Sequence, residues 1–404
     1  MDLRNKTISF NIGNKKIGGE NPILIQSMSD IRTSNIEANI KLTNSLTLYG
    51  LDMMRYSVLD LADAKALKII KQNTKVPVIA DIHFNAALAM ECINSGVDKI
   101  RLNPGNMPIE KVKSIRDAMK AKGIALRIGV NSGSLGKYGR ATLSNIDPFF
   151  FALDDMLEVF KEGSFENIVL SLKATDPRLT VKLYERASQL YPYPLHVGQT
   201  ESGYGVEGAI RSSIAMVPLL SEGIGNTIRI SLSDNRMEEI KACRTLLSGL
   251  GLRNDIPTLI TCPTCGRTQC DVSNEARIID DYLLKNVHDD IHVAVMGCPV
   301  NGPGEAKNAD IGLAGGINSY LVFIKGKPVK TLSGPDSVTE FLKMVDQVID
   351  EREKMRKEGK DPNEWRNYKK HSAWNCAFLN LTAECLISST SSKAVMDDST
   401  LRML

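Results

Sequence analysis

Apolar residues along the chain gather into short runs at 23–28, 51–55, 76–81, 99–102, 125–130, 168–172, 194–197 and 227–231. A helix-length segment with apolar positions three and four residues apart follows each run, so the hydrophobic period alternates between strand-like and helix-like. The clearest predicted helices cover 63–72, 86–95 and 109–122, the last two ending at Gly96 and Gly123, where a glycine past the last periodic residue stops a helix. Eight strand-helix units in series predict an α/β fold, a closed parallel (β/α)8 barrel of the TIM type.

Past residue 255 the rhythm changes. A strand-like stretch at 258–260, a helix at 274–285, a strand at 291–296, a hairpin of 320–324 with 329–332 turning at Lys325-Gly326-Lys327, and a helix at 337–357 predict a smaller α+β module. The expected organisation is a barrel over 1–255, the module over 256–358 and an atypical extension over 359–404. The extension carries Trp365, Trp374, Cys376, Cys385 and a Ser/Thr run at 388–392, and reads as loosely attached or partly disordered, with metal binding by its two cysteines the alternative.

Composition changes this picture little. A 404-residue chain that is 43% hydrophobic and 24% charged has room for one large and one smaller domain. Its net charge of +3, with dispersed basic residues, argues against a nucleic-acid partner, so any anion must be held locally. No apolar stretch reaches membrane-spanning length and the start lacks an apolar signal core, which predicts a cytoplasmic protein. Eight unevenly clustered cysteines fit metal binding in a reducing compartment better than a disulfide framework; Cys92 and Cys243, in apparent helices, read as packing residues.

The candidate chemistry lies in two places. Cys262-Pro-Thr-Cys265 and Cys298, within Gly-Cys-Pro-Val-Asn-Gly-Pro-Gly-Glu305, bring three thiolates and a carboxylate onto stiff turns. Tetrahedral zinc would need a fourth soft or imidazole ligand, which Cys270 could supply in a knuckle. An iron-sulfur cluster on three cysteines instead leaves one iron for an oxygen ligand or substrate. At the expected barrel, Arg55, Arg101, Arg127, Lys173 and Arg229 stand in or just after five different strands, on the face where barrel enzymes work. Alternation puts Arg101 with Asn103, Arg127 with Asn131, and Arg229 with Ser231 on shared faces. Five converging cations predict a substrate with more than one phosphate. Asp81 and His83 share a face, and Thr200-Glu201 follows the seventh strand, so these are acid-base or hydroxyl-holding candidates. His196, inside a strand, reads as packed near the core. Glycine-rich turns at 103–106 and 131–136 could admit phosphate oxygens to backbone amides. Neither a GxxxxGK[ST] loop nor a GxGxxG opening a helix occurs, which excludes ordinary nucleotide and dinucleotide sites.

Seven segments in order resemble the 4-hydroxy-3-methylbut-2-en-1-yl diphosphate synthase family: Gln26-Ser-Met, Val78-Ile-Ala-Asp-Ile-His-Phe, Asp98-Lys-Ile-Arg-Leu-Asn-Pro-Gly-Asn, Arg127-Ile-Gly-Val-Asn-Ser-Gly-Ser-Leu, Ser171-Leu-Lys-Ala-Thr, Cys262-Pro-Thr-Cys-Gly-Arg-Thr and Gly297-Cys-Pro-Val-Asn-Gly-Pro-Gly-Glu-Ala. The resemblance spans roughly 20 to 350 and implies reductive dehydration and ring opening of 2-C-methyl-D-erythritol 2,4-cyclodiphosphate, with two electrons from flavodoxin or ferredoxin. It further implies a 4Fe-4S cluster on Cys262, Cys265 and Cys298, with Glu305 as the exchangeable ligand. By the same resemblance Arg55, Arg101, Arg127, Asn131, Lys173, Arg229 and Ser231 hold the diphosphate, Asp81, His83 and Glu201 lie near the reacting hydroxyls, and the assembly is a head-to-tail homodimer. Two positions depart from the family pattern: Gln199 stands where a small apolar residue is expected before Thr-Glu, and Cys270 where the residue is usually apolar.

Overall fold

A computed structural model describes residues 3–82, 85–103, 109–300 and 306–364. Compactness divides the chain into two units, Met1–Val345 and Asp346–Leu404. The first contains a barrel and a second sheet. The barrel strands are β3 (Leu24–Met28), β4 (Met53–Val58), β5 (Val78–Ile82), β6 (Lys99–Leu102), β7 (Ala125–Asn131), β8 (Ile168–Lys173), β9 (His196–Val197) and β10 (Thr227–Ile228). They pair in parallel in the order β8-β7-β6-β5-β4-β3-β10-β9. A parallel bridge between Leu170 and Leu195, with Leu170 N donating to Pro194 O at 2.9 Å, joins the two ends of that order and closes the ring. The connecting helices are α1 (Ile36–Leu48), α2 (Leu61–Gln72), α3 (Ala86–Asn94), α4 (Ile109–Lys122), α5 (Asp147–Glu162), α6 (Pro177–Leu190), α7 (Gly205–Ser221) and α8 (Arg236–Gly249). Several begin on a side-chain cap: Asp60 for α2, Asp176 for α6 and Asn235 for α8 each accept from a first-turn amide.

Strand alternation sorts the barrel residues into two sets. Ile25, Met54, Tyr56, Ala80, Ile82, Ile100, Leu102, Leu126, Ile128, Leu170, Leu172 and Ile228 pack in the large core with the helices. The intervening positions turn inward. At the bottom these are Leu24, Met53, Ile79, Ala125 and Val169, an apolar floor. A hairpin of β1 (Phe10–Ile12) and β2 (Lys15–Ile17) packs Phe10, Ile12 and Ile17 against that floor and stoppers the barrel. Higher up, the inward positions become polar and charged, and that is where the site forms.

The second sheet has the order β11 (Thr258–Thr261), β12 (His292–Met296), β13 (Ile311–Gly316), β14 (Ser319–Ile324) and β15 (Lys327–Ser333). The first three are parallel and the last three antiparallel. Helix α9 (Val272–Asn286) lies between β11 and β12, and α10 (Ser337–Lys357) follows β15. Lys325 and Gly326 both take positive φ, 51° and 74°, as a two-residue hairpin turn of the right twist requires. This module meets the flank of the barrel: Tyr49 Oη, just after α1, donates to Asp281 of α9 at 2.7 Å, and the Lys285 ammonium lies 5.2 Å from the Tyr49 ring centre. Among the described residues no helix is long and apolar enough to cross a membrane.

Every expected barrel strand is present, with shifted bounds. The predicted run at 51–55 extends to Val58, whereas 194–197 and 227–231 keep only two ladder residues each, prolonged by Arg229 N donating to Val197 O at 3.1 Å. The hairpin β1–β2 and strand β13 were not anticipated; Ile-Gly-Leu-Ala-Gly-Gly lacks the bulky alternation that marks a strand. The glycine there has a packing reason. Gly312 pairs with Phe323 on β14, and a methyl group on it would lie 2.1 Å from Phe323 Cζ. Gly312→Ala is therefore expected to cost about 1–3 kcal/mol, seen as a lower urea midpoint; an unchanged midpoint would contradict this packing.

Candidate functional site

The upper half of the barrel interior gathers cations from β4, β6, β7, β8 and the end of β10. The ladder aligns Asp81, Arg101 and Arg127 side by side on β5, β6 and β7, and Asn131 with Lys173 on β7 and β8. Asp81 is the shared anion: its Oδ1 accepts from Arg101 Nη1 at 3.3 Å and its Oδ2 lies 3.9 Å from Arg55 Nε. Arg101 also donates to Gly129 O at 3.2 Å, and Arg55 Nη2 and Nε point at Met28 Sδ at 2.7 and 3.1 Å. Arg229 is clamped by Glu239 of α8, which accepts from its Nη2 at 3.0 Å and its Nε at 3.2 Å. Glu239, fully buried, also accepts from Ser27 Oγ at 2.7 Å, from Leu232 N at 3.1 Å and from Arg236.

Arg127 is different. It is 2% exposed, and neither its Nε nor its Nη1 has a partner among the described residues. Lys173, also buried, comes close to Gly198: a methyl group there would sit 2.8 Å from Lys173 Nζ and 2.6 Å from Arg229 O. Gly129 performs the same service for Arg101, whose Nε would lie 2.8 Å from an added Cβ. Two glycines thus make the room that packed guanidinium and ammonium groups need.

Burial and mutual repulsion lower the pKa values of Arg55, Arg127 and Lys173. Arg55 is lowered to about 10, first by burial and then by Arg229 and Arg101, against the pull of Asp81. Arg127 is pushed well below its ordinary range by burial, then by Arg55 and Arg101. Lys173 follows for the same reason, burial first, then Arg127, Arg55, Arg229 and Arg101. Cations that raise one another's cost to this extent need an anion from outside.

The remaining barrel candidates line the rim. Asn103 is buried just past β6, Asn131 ends β7, and Ser231 is half-buried two residues beyond Arg229. Thr200 is half-buried and Glu201 exposed, with a left-handed φ of 56°. Glu201 Oε2 accepts from Thr175 Oγ1 at 3.1 Å, and buried Gln199 donates to Thr175 O at 2.7 Å, so the loops after β8 and β9 are tied together. Gln199, unexpected in the sequence, therefore has a structural job. His83 lies outside the described residues.

The cysteines form a second centre. β11 and β12 run side by side in parallel, so Cys262 and Cys298 emerge from adjacent strand ends, with Cys262 N donating to Val295 O at 3.0 Å. Gln269 N donates to Gly297 O at 2.7 Å, and Cys265 N to Thr268 Oγ1 at 3.0 Å, which folds the first cysteine loop against the second. Cys262 and Cys298 are buried, Cys265 is exposed, and all three are free thiols. The donor set suits a thiophilic centre with an accessible side. Among the described residues no three His, Cys, Asp or Glu side chains close around a single ion, and Glu305 lies outside those residues. Cys270 is half-buried behind this centre, and burial, then Glu275, pushes its thiol up to about 12.

Sequence reasoning missed Glu239 and Lys99. Glu239 lies on a helix, and only the tertiary fold aims it into the barrel. Lys99 carries a readable signal, two residues before Arg101 on one strand face. Glu239→Gln keeps the shape but removes the charge that Arg229 and Arg236 share, and is expected to destabilise the fold by about 3–5 kcal/mol in chemical denaturation. A loss under about 0.5 kcal/mol, the level of an ordinary surface change, would refute the clamp.

The chain matches the GcpE TIM-barrel domain over residues 7–244 and the GcpE protein C-terminal domain over 258–347. It is 42% identical over 363 residues to the 4-hydroxy-3-methylbut-2-en-1-yl diphosphate synthase (flavodoxin) of Geobacillus kaustophilus (strain HTA426), covering 88% of this chain and 96% of the relative. The similarly named protein of Malacoplasma penetrans (strain HF-2) is 41% identical over 345 residues, 85% of this chain and 95% of the relative. With a cation-filled barrel and a three-cysteine module in the same order, the chain belongs to the GcpE family of 4-hydroxy-3-methylbut-2-en-1-yl diphosphate synthases.

Proposed function

We propose that this enzyme carries out the reductive dehydration and ring opening of 2-C-methyl-D-erythritol 2,4-cyclodiphosphate to 4-hydroxy-3-methylbut-2-en-1-yl diphosphate, in isoprenoid biosynthesis. The observation that carries the reading is the surplus of cations inside the barrel. Arg55, Arg101, Arg127, Lys173 and Arg229 face one lumen, with Asp81 and Glu239 as the carboxylates that hold three of them in place. A cyclic diphosphate supplies two negative charges in the geometry that guanidinium forks bind. Asn131 and Ser231 add rim donors, and Asp81, His83, Thr200 and Glu201 are the groups proposed to orient or protonate the sugar hydroxyls. Balance requires two electrons and a proton in, and one water out; reduced flavodoxin, in the names of the relatives, or ferredoxin is the electron source.

Cys262, Cys265 and Cys298 would hold a 4Fe-4S cluster, with Glu305 as the exchangeable ligand. Such a cluster supplies low-potential electrons and Lewis acidity at one iron. The chain's own residues bind and orient: the cations fix the diphosphate, and β11 and β12 fix the thiols. The domains are proposed as 1–255 for the barrel, 256–358 for the cluster module and 359–404 for an extension, in line with the two family matches. Because the module meets the barrel through its flank, a head-to-tail homodimer, in which one subunit's module covers the partner's barrel, is the assembly proposed. Free thiols fit a cytoplasmic location.

Anaerobic purification and reconstitution should give about four irons and four sulfides per chain, with turnover of the cyclic diphosphate under a low-potential reductant. Stoichiometric zinc without turnover would overturn the reading. Glu305→Ala is expected to keep its iron and lose most activity; full activity would remove Glu305 from the mechanism. Mixing Cys298→Ala and Arg127→Ala chains should restore activity through one intact hybrid site, and no recovery would count against the head-to-tail dimer.

A further inference from the structure

Below the diphosphate-binding level lies a buried polar layer that the proposed reaction does not yet use. Lys99 stands on β6 two residues before Arg101, so its side chain enters the barrel one layer deeper, and it is fully buried. Its Nζ reaches across the lumen to Gln26 Oε1 on β3 at 3.3 Å and lies 3.9 Å from Met53 Sδ on β4. Gln26 Nε2 and His196 Nε2 nearby, and the Nε and Nη1 of Arg127 above, are buried without a hydrogen-bond partner among the described residues. His196 Nδ1 is engaged with Thr227 Oγ1 at 2.8 Å.

The field at Lys99 is one-sided. Arg127 on β7, Arg55 on β4 and His196 on β9 surround it, with Arg101 above on its own strand and Lys173 on β8. The nearby carboxylates face other groups: Asp81 on β5 the guanidinium groups of Arg101 and Arg55, and Glu239 those of Arg229 and Arg236. Underneath, the floor of Leu24, Met53, Ile79, Ala125 and Val169, backed by the β1–β2 hairpin, shuts out solvent. Among the described residues no carboxylate pairs with Lys99, and its open side faces the mouth. Burial, then Arg127 and Arg55, lower the Lys99 pKa well below the ordinary lysine range.

We propose that Lys99 is a further positioning residue of the diphosphate site: seated beneath Arg127, it takes up a proton when the anion binds, so the barrel turns one more positive charge toward the bound diphosphate. The sign follows from linkage. An anion overhead stabilises the ammonium form, so binding draws a proton from solvent, and affinity falls as pH rises through the titration of Lys99. Lys99 acts through Arg127 and the field it adds, without contact to the reacting carbons.

This inference rests on the reading of the mouth as a diphosphate site, and one experiment separates the two. The oxidised holoenzyme, without reductant, is titrated with 2-C-methyl-D-erythritol 2,4-cyclodiphosphate by calorimetry in two buffers of different ionisation enthalpy. Each of its phosphoryl groups, an ester joined through an anhydride, has one strongly acidic hydroxyl and none that titrates near neutrality, so proton uptake reports the protein. The wild type should bind with net proton uptake. Lys99→Met should lose most of that uptake and bind about tenfold or more weakly, which at 25 °C is about 1.4 kcal/mol, while the unliganded variant melts no lower than wild type. Lys99→Gln gives the same test if the methionine variant folds poorly. Unchanged proton uptake in a folded Lys99 variant overturns the proposal and leaves the diphosphate site standing. Failure of the wild type to bind the cyclic diphosphate overturns the underlying reading as well.

Discussion

Excess positive charge inside a closed barrel is the constraint from which the rest of this structure follows. Arg55, Arg101, Arg127, Lys173 and Arg229, with Lys99 below them, face inward from β4, β6, β7, β8 and the end of β10, and burial makes such a concentration of charge costly. The fold tolerates them because the outward positions of the same strands are almost wholly apolar and pack against eight helices. The core that stabilises the barrel therefore lies outside the ring, leaving the lumen free for chemistry. At the bottom, where no ligand can reach, the lumen reverts to apolar residues and is closed by a hairpin.

Partial neutralisation is placed with economy. Asp81 serves two guanidinium groups from between them, and Glu239 reaches in from α8 to brace Arg229 while receiving Ser27 and Leu232. Complete neutralisation would leave nothing for an anion to offset. Arg127 and Lys173 carry the remaining demand, and Gly129 and Gly198 keep backbone clear of the cations. The cysteine module solves a different problem by a related device: adjacent parallel strand ends present Cys262 and Cys298 together, much as barrel strand ends present the cations.

Much of this was legible before any coordinates. The alternation of apolar runs with helical periods marked all eight barrel strands, and the helix at 337–357 was read at its observed bounds. The five mouth cations were readable because a charged residue inside an otherwise apolar strand has only the other face to occupy. The stopper hairpin was not readable, since Phe10–Ile12 and Lys15–Ile17 are too short to stand out, and β13 is masked by glycines whose reason, the ring of Phe323, is contributed by another strand. Glu239 looked like any helix carboxylate. Its role depends on α8 packing back across β3 and the segment after β10.

The periodicities, the residue types of both centres and the order in which they occur are legible in the sequence, because strand alternation and cysteine spacing act over a few residues. Which charges share a lumen, which carboxylate answers which cation, and that Lys99 and Arg127 have no carboxylate partner among the described residues follow from the tertiary structure alone. Those outcomes depend on ring closure, which brings residues more than a hundred positions apart to within hydrogen-bonding distance, and no local pattern encodes that distance.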